Sequence, residues 1–161
     1  MADEIVELNT GTDDLVIVGI QRRGVQLAAH IVSTISDREK ADIPQGALDI
    51  TLYRDDLSTV AAHPVVQSTE IPFVVDNQDL VLVDDVLYTG RTARAAMNGL
   101  FDLGRPKRVR MCVLIDRGHR ELPIEATFIG RKITTADTEI VEVRLHEIDK
   151  EERVMLVDRV E

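Results

Sequence analysis

Apolar and polar positions follow two rhythms along this chain, and the switches between them mark out its elements. Leu15–Ile20 (LVIVGI) is a continuous run rich in β-branched residues, as expected of a strand buried on both faces. Val25, Ala28, Ala29, Val32 and Ile35 then recur at helical spacing and predict a helix over 25–35. Residues 48–53 (LDITLY) alternate, which predicts a half-covered strand. Residues 54–72 keep no period and contain His63-Pro64 and Ile71-Pro72, so they are expected to form an exposed, flexible loop of the length that often serves as a lid. A second buried strand is predicted over 80–83, where two acids end it. The helix Arg91–Leu103 follows, with Ala93, Ala96, Met97, Leu100 and Phe101 on or near one face. Gly104 and Pro106 stop that helix, and 109–115 form the next strand. This strand–helix–strand order predicts parallel pairing through a right-handed crossover. Segments 127–129, 139–145 and 154–157 are expected as short strands, a late sheet edge plus a small appendage above the C-terminal end of the sheet. The expected class is α/β: a mainly parallel central sheet flanked by helices, with a small hood and a flexible loop.

Composition narrows this without changing it. The 161 residues hold no repeat or linker, so a single domain over 1–161 is expected. Hydrophobic residues at 44% and charged residues at 30% exclude a disordered chain. Cys112 is the only cysteine, which excludes an internal disulfide framework and a cysteine-rich zinc site and suits the reducing cytoplasm. With no signal-like start and no run of about 18 apolar residues, neither secretion nor a membrane partner is expected. The formal charge of −10 argues against bulk attraction to nucleic acid. Between residues 105 and 120, however, Arg105, Lys107, Arg108, Arg110, Arg117 and Arg120 face only Asp116, and this stretch is expected to form a local basic surface.

The candidate chemistry is concentrated after the second buried strand, where Asp84-Asp85-Val86-Leu87-Tyr88 leads into Thr89-Gly90-Arg91-Thr92 at the start of a helix. In open α/β sheets ligands bind beyond the C-terminal ends of strands, and a helix N-terminus presents unpaired N–H groups to phosphate. Gly90 lets the backbone approach, and the Thr89 and Thr92 hydroxyls can donate. Asp84 and Asp85 would repel a phosphate and are better suited to accept from sugar hydroxyls or to help hold Mg²⁺. A bare Thr-Gly-x-Thr also serves as a simple helix cap; the order strand, paired acids, loop favours the ligand. A second turn, Gly19-Ile20-Gln21-Arg22-Arg23-Gly24, sets arginines against the positive end of a helix, which is unfavourable unless they face an anion. His119 has no second or third ligand at metal spacing, so zinc is disfavoured.

These residues also carry a resemblance. VLVDDVLYTGRT resembles the phosphoribosyl-diphosphate (PRPP) motif of type I phosphoribosyltransferases. With VGIQRRG, DITLYRDDLS, DLGRP and DRGHRELPI in the same order, nearly the whole chain resembles the PyrR family, bacterial pyrimidine-operon regulators that are also uracil phosphoribosyltransferases. The resemblance implies the type I phosphoribosyltransferase fold. It implies that Asp84 and Asp85 hold the ribose hydroxyls and share Mg²⁺ with PRPP, and that Val86, Leu87, Tyr88, Thr89, Gly90, Arg91 and Thr92 receive the 5′-phosphate. Gln21, Arg22 and Arg23 would hold the diphosphate, joined by Arg54 from a catalytic loop beginning Tyr53-Arg54-Asp55-Asp56-Leu57-Ser58. Arg117, beyond the strand over 109–115, can offer its planar fork to a base carbonyl, and Phe128 and Ile129 match the segment that stacks on and hydrogen-bonds the base. Tyr88 stands where purine-using relatives carry an acid for N7, which favours uracil.

Two functions are therefore expected: transfer of phosphoribose from PRPP to uracil, giving UMP, and binding of pyrimidine operon leader RNA in response to UMP or UTP. For the second, the resemblance points to His119, Arg120 and Arg131 on the concave basic face of a homodimer or higher oligomer. Two departures stand against it. Residues Met1 to Thr10 resemble only the end of the family's N-terminal helix, here shortened, and Glu125 stands where relatives are basic. The alternative is a uracil phosphoribosyltransferase or nucleotide sensor that binds no RNA.

Overall fold

The computed structural model describes residues 1–55 and 68–159. In chain order the elements are α1 (Ala2–Asn9), β1 (Leu15–Ile20), α2 (Arg23–Glu39), β2 (Gln45–Leu48), one 3₁₀ turn (Thr51–Tyr53), β3 (Asp79–Leu87), α3 (Arg91–Leu103), β4 (Arg108–Asp116), β5 (Phe128–Lys132), β6 (Glu139–Arg144), α4 (His146–Asp149) and β7 (Arg153–Asp158). A five-stranded sheet runs β2-β1-β3-β4-β5, every neighbour parallel. The strand order reverses between β1 and β3, so the crevice beyond their C-terminal ends is the natural ligand site of this topology.

The sheet is buried on both sides, which is why β1 and the first half of β3 read as unbroken apolar runs. On one face Ile17, Val81, Val83 and Cys112 pack against Ile5 of α1 and Ala28, Ile31 and Ile35 of α2. On the other, Val16, Val18, Leu80 and Leu82 meet Ala95, Ala96 and Leu100 of α3. Phe101, expected near the packed face of α3, is 55% exposed; Ala95 and Gly99 are buried instead, because small residues let the helix sit close to the sheet.

Several boundaries differ from expectation, among them α2 (Arg23–Glu39 rather than 25–35) and β5 (Phe128–Lys132 rather than 127–129), and two others bear on the site. The strand expected over 48–53 ends at Leu48: Asp49 Oδ1 accepts from the Thr51 N–H (2.9 Å) and hydroxyl (2.5 Å), and this side-chain turn diverts the chain out of the sheet. The strand expected over 80–83 runs on to Leu87, so Asp84 and Asp85 lie within β3 rather than after it. Most of the catalytic loop expected from Tyr53, residues 56–67, lies outside the described residues. The turn between β1 and α2 comes close to β3: a Cβ on Gly24 would stand 2.4 Å from the Val83 carbonyl oxygen, and one on Gly19 would stand 2.5 Å from that of Gly24.

The β6–β7 pair, antiparallel and joined through α4, forms the hood. Val141, Val143 and Leu145 bury against Ile115, with Leu27 and Val86 packed alongside. Two side-chain bonds tie α4 to α2, an ion pair of Arg23 with Asp149 at 2.8 Å and a hydrogen bond between His30 and Glu147 at 2.5 Å. Among the described residues no helix is long and apolar enough to cross a membrane.

Candidate active site

The end of β3 supplies the paired acids. Asp84 is buried and its Oδ1 accepts from the Asp85 N–H at 2.9 Å; Asp85 Oδ1 accepts from the Val86 N–H at 2.9 Å. Burial, and then the adjacent Asp85 carboxylate, push the Asp84 carboxyl well above its ordinary range, while the Arg54 charge pulls the other way. Such a pair calls for a cation or for hydroxyl donors. Among the described residues no three His, Cys, Asp or Glu side chains converge to hold a metal. Two adjacent carboxyls supply oxygen donors suited to a hard divalent ion, whose remaining coordination positions would be taken by oxygens of a bound ligand and water.

Beyond them the chain turns into α3 through Gly90, at φ 92, a left-handed conformation that favours glycine at this N-cap. The Thr89 carbonyl accepts from the N–H groups of Glu121 (2.9 Å) and Leu122 (3.2 Å), which fastens the loop to the segment after β4. The Arg91 side chain turns sideways to Glu121 and Asp55, both at 2.6 Å, and both carboxylates raise its pKa. The loop walls a cavity of about 260 Å³ that also meets Arg54, Asp55, Asp84 and Met111.

A second cavity, about 290 Å³, opens at the β1–α2 turn, where the Gln21–Arg22 peptide is cis and the Gln21 N–H donates to the Leu48 carbonyl at 2.9 Å. Gln21, Arg22, Arg23, Asp85 and Thr51 line it. Arg54, Asp84, Val86 and Thr92 line both cavities, so the two adjoin. Every residue expected in the acid pair, the phosphate loop and the diphosphate turn thus lines one of two adjoining cavities, with Asp84 common to both and the carboxyls of Asp49, Asp55 and Glu121 also in their walls.

The expected base contacts are corrected. Phe128 is 4% exposed and packs in the core with Ile17, Val83 and Cys112; Ile129 sits among Met111, Val113 and Leu87. Both begin β5, level with Cys112 and Val113, and neither lines either cavity. Arg117 is buried, and its fork is spent inward: Nε donates to Thr135 Oγ1 (3.1 Å) and NH2 to the Ala136 carbonyl (3.2 Å). Its guanidinium carbon lies 4.0 Å from the centroid of the Tyr88 ring, against which the His119 ring stands edge-on at 5.8 Å. Arg117 supports Tyr88 rather than offering its fork to a base. Thr135 and Ala136, which follow β5, are the partners of Arg117 that sequence reasoning missed, because they lie 18 and 19 residues further along the chain.

The expected basic surface over 105–120 divides. Arg105, Lys107, Arg108 and Arg110 lie around the start of β4, where Arg108 pairs with Asp79 at 2.6 Å, while Arg117 and Arg120 follow its end, about 26 Å away along the strand. His119 bonds the Thr135 carbonyl through Nε2 and Asp137 through Nδ1, both at 2.8 Å. Arg120 donates to Asp116 Oδ2 (2.7 Å), the Ile124 carbonyl (2.7 Å) and the Tyr88 carbonyl (2.8 Å), so it braces the phosphate loop instead of standing free. Burial pushes the Asp116 carboxyl up, but the bonds from Arg120 and the Gly118 N–H, with the Arg120 and Lys132 charges, carry it below its usual value. Arg131, beside Ile115 on β5, is exposed with no ion pair among the described residues.

Residues 1–148 match the phosphoribosyl transferase domain family. The chain is 57% identical over its full length to a protein named bifunctional protein PyrR from Pelotomaculum thermopropionicum, covering 89% of that protein. It is 54% identical over 99% of its length to the protein of that name from Thermus thermophilus, covering 88% of it. Its fold matches the hypoxanthine phosphoribosyltransferase of Trypanosoma cruzi with a TM-score of 0.70 at 15% identity, over 99% of this chain and 88% of that one. A hypoxanthine-guanine phosphoribosyltransferase of Bacillus anthracis matches with a TM-score of 0.63 at 18% identity, over 82% of this chain and 74% of that one.

Proposed function

Because this chain belongs to the PyrR family of phosphoribosyltransferases, we propose that it transfers phosphoribose from PRPP to uracil and that UMP in the same pocket promotes binding to pyrimidine operon leader RNA. The observation that carries the transfer reading is the pair of adjoining cavities joined through Asp84 and Arg54. PRPP carries a phosphate at one end, a diphosphate at the other and two hydroxyls between, and the crevice repeats that order in its walls.

In this reading the N–H groups and hydroxyls of 88–92 take the 5′-phosphate, with the dipole of α3 behind them. Gln21, Arg22, Arg23 and Arg54 take the diphosphate, and the two carboxyls accept from the ribose hydroxyls. Asp84 and Asp85 are also the residues that would hold Mg²⁺, an ion that supplies countercharge to the diphosphate. Uracil N1 attacks C1′ as the C1′–O bond breaks, diphosphate leaves with the electron pair, and the N1 proton is lost to solvent. The protein needs no covalent nucleophile; its contribution is alignment and fixed charge. Tyr88, half-exposed and backed by Arg117, brings no carboxylate for a purine N7, which supports uracil as the acceptor.

RNA binding rests on the family, with exposed Arg131 and the His119 edge as its contacts on one face of a homodimer or larger assembly. The chain acts as one domain, in the cytoplasm. The test of transfer is an assay with PRPP and Mg²⁺ offering uracil or hypoxanthine. UMP formed from uracil, with no product from hypoxanthine, is expected; the reverse preference, or no product from either, contradicts the reading.

A further inference from the structure

Besides the apolar contact of Leu27, two polar side-chain pairs join the hood to α2, and only one of them lines the crevice. Asp149 of α4 is fixed on both sides: Oδ2 accepts from the Leu145 N–H at 2.9 Å, and Oδ1 accepts from Arg23 NH2 at 2.8 Å. Leu145 is itself buried in the packing that seats the hood, so the carboxylate has a firm base. Arg23 is the first residue of α2 and lines the cavity of the β1–α2 turn, yet its Nε–H is buried and meets no acceptor. A guanidinium gripped by one carboxylate at one edge, with a donor left unpaired at another, is oriented for a second anion. The His30–Glu147 pair lies two turns further along α2 and does not line that cavity.

We propose that Asp149 is a positioning residue for diphosphate: it holds the Arg23 guanidinium at the wall of the diphosphate cavity, and the seating of the hood thereby sets the affinity for PRPP. This rests on the phosphoribosyl-transfer reading. It separates the two side-chain pairs by function, since the pair made by Glu147 would fasten the hood without touching the ligand.

The experiment compares steady-state kinetics of the full chain with those of Asp149→Asn, Asp149→Glu and Glu147→Gln, alongside calorimetric titration of each with Mg-diphosphate. Asp149→Asn is expected to raise KM for PRPP about tenfold with kcat within about twofold and KM for uracil unchanged. Asp149→Glu should recover most of that loss, and Glu147→Gln should behave as wild type. An unchanged KM for PRPP in Asp149→Asn, or an equal rise in Glu147→Gln, would overturn the proposal. If Asp149→Asn does not fold, Asp149→Ser serves: a raised KM for PRPP with weaker diphosphate binding supports the role, and unchanged values overturn it. Wild-type protein that forms no UMP would overturn the transfer reading alone, because diphosphate affinity would still report on Asp149.

Discussion

Asp84 and Asp85 share the end of one strand but not one environment. Asp84 is buried and held toward its neutral form, whereas Asp85, the next residue of β3, stays more open to solvent. Replacing Asp85 with Asn should lower kcat for UMP formation by about 10²-fold with the melting temperature little changed; normal PRPP kinetics in that variant would remove the acids from the mechanism. Asp116 acts in stability instead. Its folded-state pKa lies below the unfolded value, so its contribution is present above that value and is lost as pH falls through the folded pKa. Melting temperatures of wild type and Asp116→Asn should differ at pH 6 and converge as pH falls below about 3.8; a gap that stays constant through that range would contradict the assignment. The acid pair and phosphate loop were legible in the sequence because their residues are contiguous. The roles of Arg117 and Arg120 were not, since what occupies Arg117 is 18 residues further on, at Thr135, and what occupies Arg120 includes the carbonyl of Tyr88.

Elements place those side chains, and their closest approach is at Gly24, where the first turn of α2 rests on the Val83 carbonyl just before Asp84. A methyl group there has no space, and both neighbours are backbone. Gly24→Ala should cost about 1–3 kcal/mol in urea unfolding and weaken PRPP binding by separating the diphosphate turn from the acids; wild-type stability would show that the turn yields. The buried parallel strands and α3 were readable because burial on two faces leaves a long apolar run and Gly104 marks a helix end. The end of β2 was not, because LDITLY alternates as a strand does while the Asp49 side chain makes the local turn that ends it. Phe128 shows the same limit: its aromatic character fits stacking or core equally, and only the parallel register with Cys112 places it in the core.

At the scale of the molecule, a chain of charge −10 is expected to bind RNA only through a local arrangement. The run of basic residues over 105–120 is not that arrangement, because β4 carries its two halves to opposite ends of the sheet and Arg117 and Arg120 are occupied by internal hydrogen bonds. A strand separates residues that the sequence sets side by side. What remains at the C-terminal end of the sheet is Arg131 and Lys132, beside Ile115 and Asp116, and His119, whose ring stands edge-on to Tyr88. Arg131→Glu should therefore weaken RNA binding and leave UMP formation within about twofold; equal loss of both would contradict separate surfaces. The most direct measurement is binding of the protein to the leader RNA of its own pyrimidine operon, with and without UMP, at about 0.15 M salt so that nonspecific attraction is screened. Sequence-dependent binding strengthened by UMP is the predicted result; no binding in either condition, from protein that still converts uracil to UMP, would contradict regulation and leave the transferase alone.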